Sequence, residues 1–370
     1  MAARIVLFGA TGYTGQLVAE ALVRRKAKPV LVGRNKEALS ELAQELGGAE
    51  TAIADVERPE SLRGLVGAKD VLISTVGPFR RFGRPALEEA IAAGAHYIDS
   101  TGEGTFIRSV FEHYGAGARQ QDCALLSAFG YDFVPGNLAG AMAIERAGER
   151  ATRIDIGYFL SGKRAGWSGG TQATTVGLLS ERGFAWRDGK LRDERPARRV
   201  RSFQVGDRRR TGFSISSSEH LALPRFSPAL REVNVYLGWF GGSRAIQAGS
   251  ALSSIAFRIP GARRLFEAAS ARAVRGSTGG PDAEARAGSI SEAIGIACDE
   301  DGLGLAEVHV TGVNPYTFTG EIMAWAAIQA ANGKLRGSGA LGPVDAFGLE
   351  NLRSGCDEAG LSASFPATPL

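Results

Sequence analysis

Three glycines near the amino terminus follow an apolar run and have the spacing of a phosphate-binding turn. Gly9, Gly12 and Gly15 lie in the segment GATGYTG, directly after the apolar residues IVLF at 5–8. The first glycine permits a sharp turn, the second lets backbone N–H groups approach a pyrophosphate, and the third allows a helix to pack closely on the strand. The N-terminus of that helix adds positive partial charge. The pattern therefore predicts a dinucleotide-binding turn.

A basic residue follows the second apolar run, at the position that usually distinguishes the two nicotinamide dinucleotides. Residues 29–32 are followed by Gly33-Arg34-Asn35-Lys36, without a carboxylate. An acid at this position binds the ribose diol of NAD, whereas a basic residue accommodates the 2′-phosphate of NADP. The planar guanidinium of Arg34 suits phosphate oxygens. We therefore predict NADP as the cofactor.

The elements that position these residues alternate in the N-terminal third of the chain. Apolar runs of strand length are separated by segments with helical periodicity, with strands predicted near residues 4–8, 29–33, 51–54, 70–74, 96–98 and 123–127. Such alternation is typical of a doubly wound parallel sheet of the Rossmann type, an α/β fold. Ligands bind outside the carboxyl ends of the strands in such a sheet.

Polar or glycine-rich segments follow the third and fourth predicted strands. Asp55 follows the third and is expected near the adenine, and residues 75–78 follow the fourth and are expected on the nicotinamide side. The predicted cofactor-binding residues are Gly9, Ala10, Thr11, Gly12, Tyr13, Thr14, Gly15, Arg34, Asp55, Thr75, Val76, Gly77 and Pro78.

Candidate proton donors follow the fifth and sixth strands. Asp99 and Glu103 lie in DSTGE at 99–103, and Tyr131 and Asp132 lie in GYDFVPG at 130–136. A tyrosine can donate a proton to a developing carbanion or enolate, and a carboxylic acid can do so if burial raises its pKa. Tyr131 is the preferred donor, and Asp132 and Asp99 are the other predicted catalytic residues. The alternatives are that Tyr131 packs beside the cofactor and that Asp132 caps the helix that follows.

The pattern changes after about residue 136. Residues 153–159, 200–205, 212–217 and 233–240 look like strands, and 294–298 with 305–310 predict a hairpin. A second α+β domain with a mixed or antiparallel sheet follows from these signals. We predict an NADP-binding domain at 1–135, a substrate domain at 136–340, and a C-terminal helix within 341–370 that returns to the first domain. Residues 168–171, SGGT, begin a predicted helix whose N–H groups could bind a substrate carbonyl.

The composition of the chain indicates what class of protein it belongs to. The 370 residues are 44% hydrophobic and 22% charged with a formal charge of +4, and the three cysteines are far apart and odd in number. These values indicate a globular protein in a reduced compartment. The first strand begins within five residues of the N-terminus, and the apolar stretch 233–257 is interrupted by Arg244. We therefore predict a cytoplasmic protein with no signal peptide and no membrane-spanning segment.

Residues 187–210 are rich in arginine. This stretch is either a solvated loop or strand face, or a dock for an anionic partner such as an acidic carrier protein. Few aromatic residues are interleaved with the charges, so nucleic acid is not predicted. The four histidines are scattered without metal-binding spacing, and no metal site is predicted.

Five motifs together resemble one family. GATGYTG at 9–15, VGR at 32–34, STVGPF at 74–79, YIDSTGE at 97–103 and GYDFVPGN at 130–137 resemble the saccharopine dehydrogenase-like oxidoreductases, and among them the branch of trans-acting enoyl reductases. The resemblance covers about the first 140 residues. It implies an NADP-binding domain with a substrate domain inserted before a returning C-terminal helix. It also implies reduction of either a C=N bond or the C=C bond of an acyl chain supplied by a separate synthase.

We predict an NADPH-dependent oxidoreductase that reduces an activated C=C (enoyl) bond of a small-molecule or acyl, polyketide-type substrate. One alternative is a C=N reductase or amino-acid dehydrogenase of the saccharopine dehydrogenase type. Another is a non-catalytic protein that senses the redox state of NADP. The sequence pattern is compatible with a homo-oligomer.

Overall fold

Seven parallel strands form the first sheet. The computed structural model describes residues 3–162, 183–239, 243–256 and 279–366. The strands of this sheet are β1 (Ile5–Phe8), β2 (Val30–Gly33), β3 (Glu50–Ile53), β4 (Val71–Ser74), β5 (His96–Asp99), β6 (Ala124–Leu126) and β15 (Gly339–Ala340). Their order is β15-β6-β5-β4-β1-β2-β3. Every residue of β1 and β4 is buried, as continuous apolar runs predict for central parallel strands.

A second, mixed sheet is formed by the remaining strands. They are β7 (Arg153–Gly162), β8 (Phe184–Arg187), β9 (Lys190–Asp193), β10 (Val200–Val205), β11 (Arg208–Ser214), β12 (Glu232–Leu237), β13 (Ser289–Cys298), β14 (Gly304–Gly312) and β16 (Leu361–Ser364). The main order is β10-β11-β12-β7-β13-β14-β16, and outside this order β8 pairs with β12 and β9 pairs with β8. Among the strand pairs of this second sheet in the described ranges, only β7–β12 is parallel. The predicted fold class and the β13–β14 hairpin are confirmed.

Helices cover both sheets. The α-helices of the described ranges are α1 (Tyr13–Arg24), α2 (Lys36–Glu45), α3 (Phe79–Ala93), α4 (Gly104–Ser109), α5 (Gly115–Gln120), α6 (Val134–Ala147), α7 (Glu219–Phe226), α8 (Ser243–Ala256), α9 (Ala283–Ala287), α10 (Pro315–Ala331), α11 (Pro343–Phe347) and α12 (Leu349–Glu358). A π-helical turn at Val110–Tyr114 joins α4 to α5. None of these helices is long and apolar enough to cross a bilayer.

Two helices connect the two halves of the molecule. Helix α10, from the C-terminal part of the chain, packs on α1 of the first sheet, and a Cβ on Gly320 would lie 3.0 Å from Leu17 Cβ. Helix α6 packs on the second sheet, where a Cβ on Gly295 of β13 would lie 2.7 Å from the carbonyl carbon of Ala139. Glycine at both positions allows this close approach. Residues 134–144 of α6 are all buried, so this helix is part of the core.

The C-terminal segment differs from the single helix predicted within 341–370. Gly348 has φ +76, a left-handed conformation, and separates α11 from α12. Residues 361–364 form β16, which pairs with β14 of the second sheet, whereas β15 pairs with β6 of the first. The part of the chain that begins at Gly339 therefore contributes a strand to each sheet. The domain boundaries proposed above stay a prediction.

Candidate active site

The glycine turn after β1 has the geometry of a pyrophosphate cradle. Gly9 has φ +89, and a Cβ on Gly15 would lie 2.1 Å from the Gly9 carbonyl oxygen, so a side chain at 15 would push α1 off the turn. Gly12 is the N-cap of α1 without a side-chain cap, and no acidic residue lies in the first turn. An anion therefore meets neither a competing cap nor a repelling charge there.

The N–H groups of this turn divide into two sets. Those of Gly9 and Ala10 donate to the carbonyl of Val32 in β2, at 2.9 and 3.1 Å, and therefore shape the turn. The N–H groups of Thr11, Tyr13 and Thr14 bond no acceptor among the described residues. These three are the donors that fit a pyrophosphate.

The side chain of Tyr13 reaches away from the turn to the second half of the chain. Its hydroxyl donates to the Pro281 carbonyl at 2.5 Å and lies 3.1 Å from Nη1 of Arg286. Its ring meets that of Tyr316 edge-on, with centroids 5.2 Å apart. Tyr13 thus links the glycine turn to the segment before β13, while its backbone remains part of the turn.

Arg34 lies at the carboxyl end of β2, beside the glycine turn. A Cβ on the preceding Gly33 would lie 3.6 Å from Thr11 Oγ1. Arg34 is exposed and makes no hydrogen bond or ion pair with the residues that the structure describes. Asn35, not Arg34, caps α2, because its Oδ1 accepts the Ala38 N–H at 3.0 Å. The guanidinium is therefore available to a 2′-phosphate.

Asp55 is engaged in its own turn after β3. Its Oδ1 accepts the Glu57 N–H at 3.0 Å, and its Oδ2 lies 3.9 Å from Nε of Arg58. The backbone N–H of Asp55 donates to Ser61 Oγ at 2.9 Å. These contacts order the turn, and the contact of Asp55 with an adenine stays a prediction.

The loop after β4 is tied to the glycine turn. Thr75 Oγ1 donates to the Gly9 carbonyl at 3.1 Å, and a Cβ on Gly9 would lie 2.9 Å from Val76 Cγ2. The Gly77–Pro78 peptide, which is cis, leads into α3. The structure therefore brings the predicted residues 75–78 together with the glycine turn at one edge of the first sheet.

Glu103 holds the start of α3 and thereby the 75–78 loop. Its buried carboxylate accepts the N–H groups of Phe79 and Arg80, at 2.7 and 3.0 Å. A carboxylate at a helix N-terminus satisfies orphan donors and interacts favourably with the helix dipole. The sequence placed Glu103 at this edge but did not reveal this capping contact.

Asp99 is a buried junction between β5 and the loop after β6. Its oxygens accept the N–H groups of Thr101 and Ala128, at 3.0 and 2.9 Å, and the Ser127 hydroxyl at 2.9 Å. Desolvation raises the pKa of Asp99 to about 6, although these hydrogen bonds oppose the shift. With its oxygens committed to the protein, Asp99 is better suited to positioning than to proton transfer.

Tyr131 packs between the two sheets. Its hydroxyl lies 3.3 Å from the Glu292 carbonyl of β13, and its side chain is 2% exposed. The ring meets those of Tyr158 and Phe318 edge-on, at 5.6 and 6.2 Å. Burial raises the pKa of this phenol well above its ordinary value. This environment favours the packing alternative for Tyr131, whose catalytic role stays a prediction.

Asp132, unlike Tyr131, is only half-buried. It keeps part of its surface accessible, and its carboxyl makes no hydrogen bond or ion pair within the described ranges. Protein surrounds the group on most sides, and this desolvation raises its pKa to about 7. It does not cap α6, since the N-cap is Phe133 and no side-chain cap is formed. The Asp132–Phe133 peptide is cis.

A buried carboxyl that the sequence analysis did not single out lies close to this loop. Glu219, at the start of α7, accepts the hydroxyl of Tyr158 at 2.6 Å, and both side chains are inaccessible to solvent. Desolvation raises the pKa of Glu219 to about 7. An acid in the first turn of a helix is an ordinary sequence feature, so only the tertiary structure distinguishes this one.

Much of the basic stretch 187–210 is engaged within the protein. Glu194 binds Arg187 and Arg199, and Asp155 binds Arg201. The basic residues of the stretch that remain exposed are Lys190, Arg192, Arg198, Arg208 and Arg209. A carrier protein at this surface stays a prediction, and residues 168–171 lie outside the described residues.

The fold and this edge of the first sheet define a two-sheet α/β protein with a dinucleotide-binding half. Residues 5–123 match the family model described as the saccharopine dehydrogenase NADP-binding domain. The match confirms NADP as the cofactor of this domain and confirms the resemblance that the five motifs indicate. The glycine turn and Arg34 fit this cofactor independently of the match.

Two curated relatives extend the comparison. A putative trans-acting enoyl reductase of Mycobacterium tuberculosis (strain ATCC 25618 / H37Rv) is 34% identical over 184 residues, which cover 48% of this chain and 44% of the relative. A trans-acting enoyl reductase of Mycobacterium ulcerans (strain Agy99) is 32% identical over 154 residues, covering 40% of this chain and 37% of that one. The chain thus spans less than half the length of these relatives.

One solved structure shares the fold over the full chain. Apo saccharopine dehydrogenase (L-Glu forming) from Saccharomyces cerevisiae superposes with a TM-score of 0.65 and covers 99% of this chain and 100% of that chain. The two sequences are 13% identical, so the likeness concerns the fold.

Proposed function

We propose that this protein is an NADPH-dependent reductase of an activated C=C bond in an enoyl or related acyl substrate. The observation that carries the proposal is Asp132, a half-buried residue whose carboxyl has a pKa of about 7 and no partner in the described ranges. It lies at the carboxyl end of β6, on the same edge as the glycine turn. The names of the two mycobacterial relatives support the enoyl class.

The chain's own residues perform three tasks in this reaction. The N–H groups of Thr11, Tyr13 and Thr14 would hold the pyrophosphate of the cofactor, and Arg34 would hold its 2′-phosphate. The chemistry that bound NADPH would supply is a hydride for the β-carbon of the enoyl group. Asp132 delivers a proton from its carboxyl to the α-carbon, and a proton from solvent restores the acid afterwards.

The pKa of Asp132 explains why this carboxyl suits the task. General acids work best when their pKa is close to the operating pH, because a substantial fraction is then protonated and the proton is still readily given up. An ordinary aspartate would be almost fully ionised at pH 7. Tyr131 has its hydroxyl committed to the Glu292 carbonyl, so we assign it the support of the loop that carries Asp132.

The test of this function is NADPH oxidation by the purified protein, followed with three kinds of acceptor. We expect turnover with an enoyl thioester and none with an imine-forming pair of amine and keto acid or with a quinone. Turnover with the imine pair alone would establish the C=N alternative. NADPH binding without turnover of any acceptor would support the sensing alternative.

The role of Asp132 is tested by Asp132→Asn. The amide cannot donate a carboxylic proton, so we expect kcat to fall by about 10²- to 10⁴-fold while the Kd for NADPH changes little. Asp301→Asn is the matched control, because Asp301 is exposed in the turn between β13 and β14. Equal kcat values in Asp132→Asn and the control would remove Asp132 from the mechanism.

A further inference from the structure

A short segment before β13 is fixed to the glycine turn through the side chain of Tyr13. The ring packs so closely on this segment that a Cβ on Gly280 would lie 2.6 Å from it. The Tyr13 hydroxyl donates to the Pro281 carbonyl at 2.5 Å, and Nη1 of Arg286 donates to the same hydroxyl and the same carbonyl, at 3.1 and 2.9 Å. Within the described ranges, these are the only hydrogen bonds between residues 280–286 and the first half of the chain.

The segment buries little of its own surface. Its helix α9 has no buried residue, and the helix is capped from within the segment by Asp282, whose Oδ1 accepts the Ala285 N–H at 2.8 Å. Pro281, against the Tyr13 side chain, is buried. Segments with few buried apolar contacts open locally at a low cost in free energy. The docked position of α9 therefore depends on the contacts that Tyr13 makes with Pro281 and Arg286.

Arg286 brings a positive charge to this place. The residue is half-buried, and its guanidinium forms no ion pair with a carboxylate in the described ranges. The two oxygens that it binds, those of Tyr13 and Pro281, are both neutral. Burial raises the pKa of the Tyr13 phenol, and of the charges that act on this phenol Arg286 outweighs Asp282. The guanidinium is therefore held in a fixed position while its charge remains available to an anion.

The pyrophosphate site lies one tyrosine side chain away from this guanidinium. The backbone N–H of Tyr13 is one of the three donors that fit the pyrophosphate, and Arg286 binds the far end of the same residue. Cζ of Arg286 lies 6.0 Å from the centre of the Tyr13 ring. The separation between the guanidinium and the turn is thus comparable with the Debye length of about 8–10 Å, so attraction of a doubly charged pyrophosphate is only partly screened.

We propose that residues 280–286 are part of the dinucleotide site, with Arg286 as a cation for the pyrophosphate and the Tyr13 hydroxyl as the group that holds it in position. Arg286 attracts the pyrophosphate at a distance, whereas Arg34 binds the 2′-phosphate. The proposal concerns cofactor binding and does not depend on which bond the cofactor reduces. Because linkage is reciprocal, a segment whose docking strengthens dinucleotide binding is itself docked more firmly by the dinucleotide, by the same factor.

The first test is calorimetric titration of Arg286→Gln with NADPH and with NADH. Glutamine keeps a donor for the Tyr13 hydroxyl and the Pro281 carbonyl but removes the charge. Both dinucleotides contain the pyrophosphate, so we expect both Kd values to rise by the same factor, about three- to tenfold, and the factor to shrink as salt is added. Arg286→Lys, which keeps the charge, should retain most of the affinity.

Arg63→Gln is the matched control, because it removes the charge of an exposed arginine near the amino-terminal edge of the sheet. It should leave both Kd values unchanged. Unchanged Kd values in Arg286→Gln, or a rise for NADPH alone, overturn the assignment to the pyrophosphate. Equal losses in Arg286→Gln and Arg286→Lys overturn the role of the charge.

The second test measures the segment itself by hydrogen–deuterium exchange. The N–H groups of Ala285, Arg286 and Gly288 donate within the segment, so their exchange reports on its opening. Saturating NADPH should slow this exchange in the parent, by the factor found in the titration, and should not slow it in Tyr13→Phe, which keeps the ring and loses the hydroxyl. Protection of the glycine turn without protection of the segment overturns the proposal. If NADPH protects both and no acceptor is reduced, the proposed reaction fails and this extension of the cofactor site stands.

Discussion

Substitution of Arg34 tests how the protein selects its cofactor. Arg34 is exposed, makes no contact with the described residues that a substitution would break, and lies outside α2, whose cap is Asn35. Replacement by serine should therefore leave folding intact and remove only the cation beside the glycine turn. Replacement by aspartate also adds an acceptor that suits a ribose diol.

The expected loss of NADPH affinity follows from the exposure of Arg34. A hydrogen bond to a charged group contributes about 1.5–3 kcal/mol, with solvent exposure favouring the lower end. A guanidinium that binds a phosphate with two hydrogen bonds should then contribute about 2–3 kcal/mol, which corresponds to about 30- to 150-fold in affinity. We expect Arg34→Ser to weaken NADPH binding by this factor and to leave NADH binding nearly unchanged. In Arg34→Asp, repulsion of the phosphate should lower the preference further or reverse it.

Calorimetric titration with NADPH and NADH measures both Kd values for each variant. Arg63→Ser is the matched control, since Arg63 is another exposed arginine without an ion pair in the described ranges. It lies near the amino-terminal edge of the sheet, where Arg4 Nη2 donates to the Leu65 carbonyl. An unchanged ratio of the two Kd values in Arg34→Asp would refute the assignment of the 2′-phosphate.

Three further predictions concern the first sheet. Gly15→Ala places a Cβ where the Gly9 carbonyl lies, so we expect destabilisation of about 1–3 kcal/mol in urea unfolding and weaker NADPH binding by calorimetry. Glu103→Gln puts an amide where the carboxylate caps α3, and we expect about 1–3 kcal/mol lower stability with a raised KM for NADPH; an unchanged melting temperature would contradict the cap. Burial raises the pKa of Asp99 to about 6 in the folded protein, from about 4 in the unfolded chain, so the folded protein keeps this proton to a higher pH. The stability that the proton contributes, on the order of 3 kcal/mol, is complete below about pH 4 and is lost as the pH rises to 6. Asp99→Asn should flatten the stability profile between pH 4 and 6, and an equally steep profile would refute this linkage.

The first sheet was predictable because its signals are local. The run IVLF has the length and composition of a strand buried on both faces, and the structure buries all four residues of β1. Gly94, with φ +68, is the C-cap of α3, a position at which glycine is favoured by its local conformation. The glycine spacing at 9–15 likewise results from contacts within a few residues. Each of these features depends on neighbours in the chain, so the sequence alone contains it.

Features that depend on distant residues could not be predicted in the same way. Glu219 and Tyr158 are 61 positions apart, and they meet only because α7 and β7 both contact α6. The capping of α3 by Glu103 joins residues 24 positions apart. The single helix predicted within 341–370 is divided at Gly348, whose positive φ separates α11 from α12. Local propensity describes none of these contacts.

The choice between Tyr131 and Asp132 shows where residue type is an insufficient guide to chemistry. The phenol is the more usual proton donor at neutral pH, and on residue type alone Tyr131 is the better candidate. In the structure its hydroxyl is buried against the Glu292 carbonyl, whereas Asp132 has no partner in the described ranges and a pKa close to 7. Desolvation raises the pKa of the Asp132 carboxyl towards neutrality, as its proposed role as a proton donor requires, whereas burial raises the pKa of the Tyr131 phenol away from neutrality. The packing of Tyr131, Phe133 and Tyr158 is part of the environment that separates the two side chains.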